Sequence, residues 1–408
     1  MSNTLDIQQI RAQFPVLHQE VNGKPLVYFD NAATTQKPQV VIDALDNYYK
    51  GYNSNIHRGA HALADKATQA FEETRKTAAK FLNAETPEQV IFTKGTTDGI
   101  NLIASSYGRQ NIQAGDEIIV STLEHHSNIV PWQMLCQEKG ATLKVIPINA
   151  KGELIVEEFE KLLTANTKIV AVNHASNALG TVNPIAEMIE KAHAVGAVVV
   201  VDGAQSASHF DIDVQALGVD FFVTSAHKIY GPTGIGLLYG KRVLLEEMPP
   251  YQGGGEMIKE VSFDGTTFNE IPYKFEAGTP NIADVIAFDA AMKWVQDLGK
   301  DAIRAHEAEL LVYANEKLSE IPGIIFYGTA AEKVSVLSFG LEGVHPFDIG
   351  MMLDARGVAV RTGHHCTQPL MKHLGIEGTV RASFSVYNTK EEIDTLVQGV
   401  ARVAKMMA

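Results

Sequence analysis

Only two cysteines, Cys136 and Cys366, occur in 408 residues. They can form at most one bridge, too little to staple a chain of this size, so a reducing compartment is expected. Basic charge is also scarce: 34 Lys and Arg stand against 48 Asp and Glu, a formal charge of −14. That balance argues against general binding to nucleic acid or to an anionic membrane, both of which need a net basic face, and points to small molecules or proteins as partners. No apolar run reaches membrane length, and the opening residues lack a basic stretch followed by an apolar one, so the expected location is cytoplasmic. Short repeats, low-complexity tracts and long linkers are missing as well. With 45% hydrophobic and 20% charged residues, the chain can bury a substantial core.

What is present is an alternation. From about Tyr28 to Gly240, apolar runs rich in β-branched residues, such as those at 117–120, 168–172 and 198–201, alternate with helical segments. Near-continuous apolar strands of this kind suit a largely parallel sheet covered on both faces, an α/β architecture. Polar clusters follow several of the strands: Glu124-His125-His126, Asn173-His174, Asp202-Gly203-Ala204-Gln205 and Ser225-Ala226-His227-Lys228. Ligands of open α/β sheets bind outside the carboxyl ends of strands, so these clusters are expected to converge. Beyond Asn281 the pattern changes to helices near 283–298 and 301–321, a short strand near 334–339, and a last helix opened by a capping box at Thr389-Lys390-Glu391-Glu392. Near the start, Asn22-Gly23 reads as a hairpin turn. The expected division is a large domain over 26–285 and a smaller α+β domain made from 1–25 and 286–408.

Four groups of residues carry chemistry. A lysine after one strand and a carboxylate after its neighbour are the pair a pyridoxal phosphate enzyme needs: Lys228 to join the cofactor as an imine and shuttle a proton, Asp202 to keep the pyridine ring protonated. Taken singly, they read as a solvated lysine and a helix cap; their joint placement reverses that. Gly95-Thr96-Thr97-Asp98-Gly99 links a strand to a helix, and the N–H groups there can receive a phosphate, with Ser225 and His227 adding donors; an ordinary N-cap at Thr96 or Thr97 is the alternative. Arg361-Thr362-Gly363-His364-His365-Cys366 places a thiol among groups that favour thiolate, making Cys366 a candidate nucleophile against the alternative of a buried structural cysteine. Two adjacent histidines and the next cysteine are poorly placed to close a tetrahedron, and no Cys-x-x-Cys pair supports them, so no metal is expected. His125 can stack on a cofactor or pass a proton, Asn177 and Gln205 can donate to cofactor oxygens, and Arg381 can grip a carboxylate or form a structural ion pair.

In this order the residues resemble a known family, the cysteine desulfurases of the class V aminotransferase group, in the SufS-like branch that includes selenocysteine lyase-like enzymes. The matching segments are Asp30–Ala33, His57–Gly59, Gly95–Thr97, Glu124–Trp132, Val201–Gln205, Ser225–Lys228, Phe275–Asn281 and Arg361–Cys366, spread across nearly the whole chain. Thr367-Gln368 departs from the pattern, in which alanine follows the cysteine. The resemblance implies a fold-type I pyridoxal phosphate transferase acting as a homodimer. It assigns Lys228 to the cofactor imine, Asp202 to the pyridine nitrogen, Gln205 to the ring hydroxyl and His125 to the ring face. Thr97, Ser225 and His227 fall to the phosphate, beside Thr96 of the same loop, and Thr279 to the phosphate of the neighbouring subunit. Asn177, Arg361 and Arg381 fall to the substrate, and Cys366 to the sulfur. The implied reaction turns L-cysteine into L-alanine and a Cys366 persulfide, passed to a SufE- or SufU-like acceptor for iron–sulfur cluster assembly. L-selenocysteine is a possible second substrate. Selenocysteine lysis as the main role, another class V aminotransferase reaction, and a non-catalytic sulfur-carrier scaffold are the alternatives.

Overall fold

The computed structural model describes residues 5–407. Seven strands form the main sheet: β1 (Val90–Thr93), β2 (Glu117–Ser121), β3 (Thr142–Ile146), β4 (Thr167–Asn173), β5 (Val198–Asp202), β6 (Phe221–Ser225) and β7 (Gly236–Gly240). Their order across the sheet is β1-β7-β6-β5-β4-β2-β3. The run β6-β5-β4-β2-β3 is parallel throughout, and β7 alone is reversed, antiparallel to both β1 and β6. The near-continuous apolar residues of the central strands β4, β5 and β6 reflect two covered faces, since successive side chains of a strand point to opposite sides. Val199 and Val201 join one apolar cluster and Val200 the other. Each is fully buried, a contribution of about 1.5–3 kcal/mol per side chain.

Helices α1 (Gln39–Gly51), α2 (Ala62–Leu82) and α4 (Ile282–Leu298) pack together over one face. Ile10 and Phe14 enter the same cluster, and the Phe14 ring meets Tyr230, Trp294 and Tyr387. Helix α3 (Thr96–Ile103) lies against the other face with Trp132 and Leu135. Between α4 and α5 (Lys300–Ser319), Gly299 at φ 82 breaks the helical path.

A second sheet, antiparallel, has the order β8-β9-β11-β10, where β8 is Ile324–Tyr327, β9 Val336–Leu341, β10 Arg361–Gly363 and β11 Thr379–Ser383. β9 starts two residues later than the sequence pattern predicts. The Val334 N–H goes to the Gly180 carbonyl and the Ser335 hydroxyl to that of Phe384, and the ladder with β11 opens only at Val336, opposite Ser383. Helix α6 (Lys390–Met407) packs its Ile393, Leu396, Val400 and Val403 into the core of this sheet. The capping box forms as expected: the Thr389 Oγ1 accepts the Glu392 N–H at 3.3 Å, and the Glu392 Oε2 accepts the Thr389 N–H at 3.1 Å. Asn22 and Gly23, at φ 54 and 68, close the predicted hairpin, because both central positions of such a turn need positive φ. Val27–Tyr28 runs parallel to Val358–Ala359, and the Ser383 N–H reaches the Phe29 carbonyl at 2.7 Å, bringing residues 27–31 to the edge of the second sheet. Among the described residues no helix is long and apolar enough to cross a membrane.

Candidate active site

The loops after β1, β2, β4, β5 and β6 leave the sheet on one side, because these strands share a direction, and they line a cavity of about 230 Å³. Arg361, His365, Cys366 and Arg381, from the region of the second sheet, close its other side. Every residue given a catalytic, cofactor or substrate role from the sequence lines this cavity except Thr279. Thr279 lies on a separate hollow with Phe92, Lys94, Asp98 and Pro280.

Lys228 ends the short turn after β6. Burial pushes its amine down to about 8, as do Arg381 and Arg361, against the carboxylate of Asp202. Asp202 is the last residue of β5 and wholly buried, and burial raises it above the usual carboxylate range against Lys228 and the Ala204 N–H, which donates at 2.9 Å. The strand can turn sharply here because Gly203 has no side chain: a Cβ would lie 1.9 Å from the Phe222 ring. The residue after Asp202 is thereby restricted to glycine.

At the opening of α3 the N-cap is Gly95, at φ 136, so neither threonine caps the helix; Thr96 is its first residue. The Thr96 N–H donates to the Ser225 Oγ at 2.8 Å, and the two hydroxyls are 2.9 Å apart. With Thr97 and His227 also on the wall, hydroxyls and the N–H groups of a helix start face one corner, an arrangement suited to phosphate. Burial pushes His227 down to about 4 and His125 down to about 3, in both cases assisted by Lys228. His125 is therefore neutral, and its Nδ1 accepts the Ser127 N–H at 3.1 Å. Behind it Glu124 is fully buried, pushed up to about 7 by that burial, while the side chain of Asn128 at 2.7 Å and the Asn173 N–H at 3.1 Å donate to it.

Arg381, 2% exposed, donates from Nη1 to the Asn177 carbonyl and from Nη2 to Asp30, each at 2.9 Å. Its Nε is buried without a partner. Asn177 fastens the cysteine loop, its Nδ2 donating to the His365 carbonyl at 2.7 Å. Cys366 is half-buried, and its carbonyl accepts the His126 N–H at 2.8 Å while its own N–H reaches the His364 Nδ1 at 3.1 Å. Gln205 donates from Nε2 to the Ala32 carbonyl at 2.7 Å. The sequence reading left out Asp30, the ion-pair partner of Arg381, and the Glu124–Asn128 support. Glu124, an acidic residue three positions after an apolar strand, was a usable signal; Asp30 stood in a segment that matches the family, but nothing in the sequence pointed to its pairing with Arg381, 351 positions away.

An amine, a buried carboxylate, an anion corner, a neutral imidazole and an arginine with a free buried N–H together fit pyridoxal phosphate, whose aldehyde, ring nitrogen and phosphate call for such groups. The unpartnered Arg381 Nε and the glycine cradle at Gly95, where a Cβ would stand 3.1 Å from the Ser225 Oγ, are the observations that make the fit specific. The class V aminotransferase model matches residues 27–396. The chain is 54% identical to a cysteine desulfurase of Synechococcus elongatus over 98% of its own length and 64% of the relative's, and 50% identical to one of Salmonella agona over 99% and 100%. It thus spans under two thirds of the length of the first curated relatives it matches, and the whole of others. It is similar to the crystal structure of the Escherichia coli cysteine desulfurase CsdA with a TM-score of 0.93 and 43% identity, each chain covered completely. The architecture is that of a fold-type I pyridoxal phosphate enzyme, and the chain belongs to the class V aminotransferase family, among relatives that are cysteine desulfurases.

Proposed function

We propose that this chain is a cysteine desulfurase that converts L-cysteine to L-alanine and carries the released sulfur on Cys366. The observation that carries this reading is one cavity in which Lys228, Asp202, Arg381 and the half-buried Cys366 meet. Thr96, Thr97, Ser225 and His227 would hold the cofactor's phosphate, His125 its ring face, Asp202 its ring nitrogen, Gln205 its ring hydroxyl, and Lys228 its aldehyde carbon. When bound, pyridoxal phosphate supplies an electron sink that acidifies the substrate's Cα–H.

The chain's own groups do the rest. Lys228, with its amine lowered to about 8, has a useful neutral fraction near neutral pH and can take a proton from Cα and return one. Arg381, through its free Nε, and Asn177 hold the substrate carboxylate, and Arg361 lies beside them at the cysteine loop. The Cys366 Sγ forms a bond to the substrate sulfur as the carbon–sulfur bond breaks. L-Cysteine and the Cys366 thiol become L-alanine and a Cys366 persulfide, with no outside oxidant or reductant. Exclusion of water by the buried floor strengthens each charge contact.

The same proposal includes a SufS-like, cytoplasmic homodimer that hands sulfur to a SufE- or SufU-like protein for iron–sulfur cluster assembly, with L-selenocysteine as a possible second substrate. The position of Cys366 on the cavity rim, open to another thiol, supports the hand-over. Thr279, on an outer hollow away from its own chain's cavity, supports a second subunit. The test is to incubate the purified, cofactor-loaded protein with L-cysteine, quantify alanine and sulfide, and locate added sulfur by peptide mass spectrometry. Alanine matched by sulfur on Cys366 is the expected result. A keto acid with the amine form of the cofactor would establish transamination instead.

A further inference from the structure

The peptide just before Lys228 is gripped from a distant segment. The His227 carbonyl oxygen accepts the Thr35 N–H at 3.0 Å, the hydroxyls of Thr34 and Thr35 at 3.1 Å each, and the Lys37 Nζ at 3.0 Å. A carbonyl has two lone pairs, so these four donors share it in three-centre bonds. Thr35 also reaches past the lysine: its Oγ1 accepts the Tyr230 N–H at 2.9 Å. One hydroxyl thus spans 227 to 230, donating at one end and accepting at the other. Tyr230, fully buried, has φ 58, a conformation that bulky side chains rarely adopt, so the turn does not hold this shape by local preference.

Lys37 is an expensive residue to place here. Burial pushes its amine down to about 7, with no carboxylate beside it to oppose the shift. Its Nζ donates instead to the carbonyls of Thr35 and His227 and to the Thr34 hydroxyl. A cation spent on backbone oxygens next to Lys228 has a geometric task.

We propose that Thr35 and Lys37 are positioning residues for Lys228, pinning the carbonyl before it and the N–H two residues after it so that the amine enters the cavity from a turn that cannot rotate. The inference rests on Lys228 being the cofactor lysine. That amine must serve both as the cofactor's attachment and as the proton carrier, and such a group works only when held to within about 0.5 Å.

The experiment compares holoenzymes of the wild type, Thr35→Val, Thr35→Ser and Lys37→Met. Borohydride reduction and peptide mass spectrometry first locate the cofactor in the wild type. Thr35→Val, which loses two neutral hydrogen bonds, and Lys37→Met, which loses the bonds of an amine, are each expected to release cofactor about tenfold faster, and to shift the pH midpoint of the cofactor's visible absorbance. Thr35→Ser keeps the bridging hydroxyl and is expected to restore both. Release rate and midpoint that stay at wild-type values, even with a lowered melting temperature, would mean a purely structural role and overturn the proposal while leaving Lys228 in place. A wild-type cofactor attached elsewhere than Lys228 would overturn both readings. If Thr35→Val does not fold, Lys37→Met, at a partly exposed position, decides alone.

Discussion

Asp202 and Ser225 end regular parallel strands and Thr96 opens a helix, whereas Cys366 sits in a loop where Gly363, His365 and Cys366 have φ of 102, 52 and 57. The floor of the cavity is held by sheet ladders that the core would have to unfold to break. The cysteine wall is held to other loops by a few bonds: the backbone N–H of His126 to the Cys366 carbonyl, the Gln368 N–H to the His126 ring, and the Asn177 side chain to the His365 carbonyl. The left-handed conformations of His365 and Cys366 cost about 1–3 kcal/mol each, so part of the energy of those bonds is offset by strain. A group that must hold a cofactor still is built on the sheet. A thiol that must meet a substrate inside and an acceptor outside is built where a few bonds release it.

The comparison breaks first at its two reactive groups. Lys228→Ala is expected to lower turnover by about three orders of magnitude or more and to remove the visible absorbance of lysine-bound cofactor. Cys366→Ala is expected to keep that absorbance and lose all sulfur on the protein after incubation with L-cysteine. Absorbance spectra and peptide mass spectrometry on the same samples check both, and full cysteine turnover in Cys366→Ala would remove the thiol from the reaction.

Arg381 links floor to wall, and Arg381→Lys tests whether its planar fork matters. A lysine can pair with Asp30 but cannot serve Asn177 and a carboxylate together, so KM for L-cysteine is expected to rise about tenfold to a hundredfold with a smaller change in kcat. An unchanged KM in steady-state kinetics would place the substrate carboxylate elsewhere.

A smaller effect follows from buried histidines. Burial pushes His125 to about 3, His174 and His227 to about 4, and His365 to about 2, all below the ordinary 6.5. Below pH 6.5 the unfolded chain therefore binds more protons than the folded one. The stability these neutral rings contribute is complete above 6.5 and is lost progressively as pH falls from 6.5 through their folded values, about 4 for His174 and His227 and lower for His125 and His365. Three buried carboxyls work in the opposite sense: Glu124, raised to about 7, and Asp202 and Glu392, both raised by burial, favour the fold most at low pH and lose that contribution as pH rises through their folded values, three groups against four. Denaturant unfolding at pH 7.5 and pH 5 should give lower stability at pH 5, with a shallower drop in His174→Asn. A flat profile would mean that the rings stay protonated in the fold.

The smallest expected change lies away from the cavity. Thr389→Ala removes the cap of α6 and should cost about 1 kcal/mol in unfolding. Cofactor affinity, measured by titration, should not move; a weaker affinity would show that the second sheet's helix bears on the floor.

Much of this was legible before folding. The runs at 117–120, 168–172 and 198–201 announce strands because two covered faces demand near-continuous apolar residues, and the polar clusters after them announce a site because strand ends of a parallel sheet gather. Asp202 and Lys228 were readable as a pair for that reason. The Gly95 turn was readable as a phosphate corner, though the cap proved to be the glycine and not a threonine. Thr35 and Lys37 were not readable: they lie 192 and 190 positions from the carbonyl they grip, and nothing in the segment 34–37 marks it as different from an ordinary loop.

The sequence by itself determined the alternation of strands and helices, the chemistry available at each strand end, and the cap of the last helix, because periodicity and turn chemistry act over a few residues. Only the tertiary structure decided which groups face one another: Asp30 with Arg381, Asn177 with the cysteine loop, Thr35 across the turn of Lys228, and Thr279 outside the cavity. Burial, which shifts Lys228, Lys37 and the histidines away from their ordinary charge behaviour, is likewise a property of the assembled core, since no stretch of chain can exclude water from a side chain without the rest packed around it.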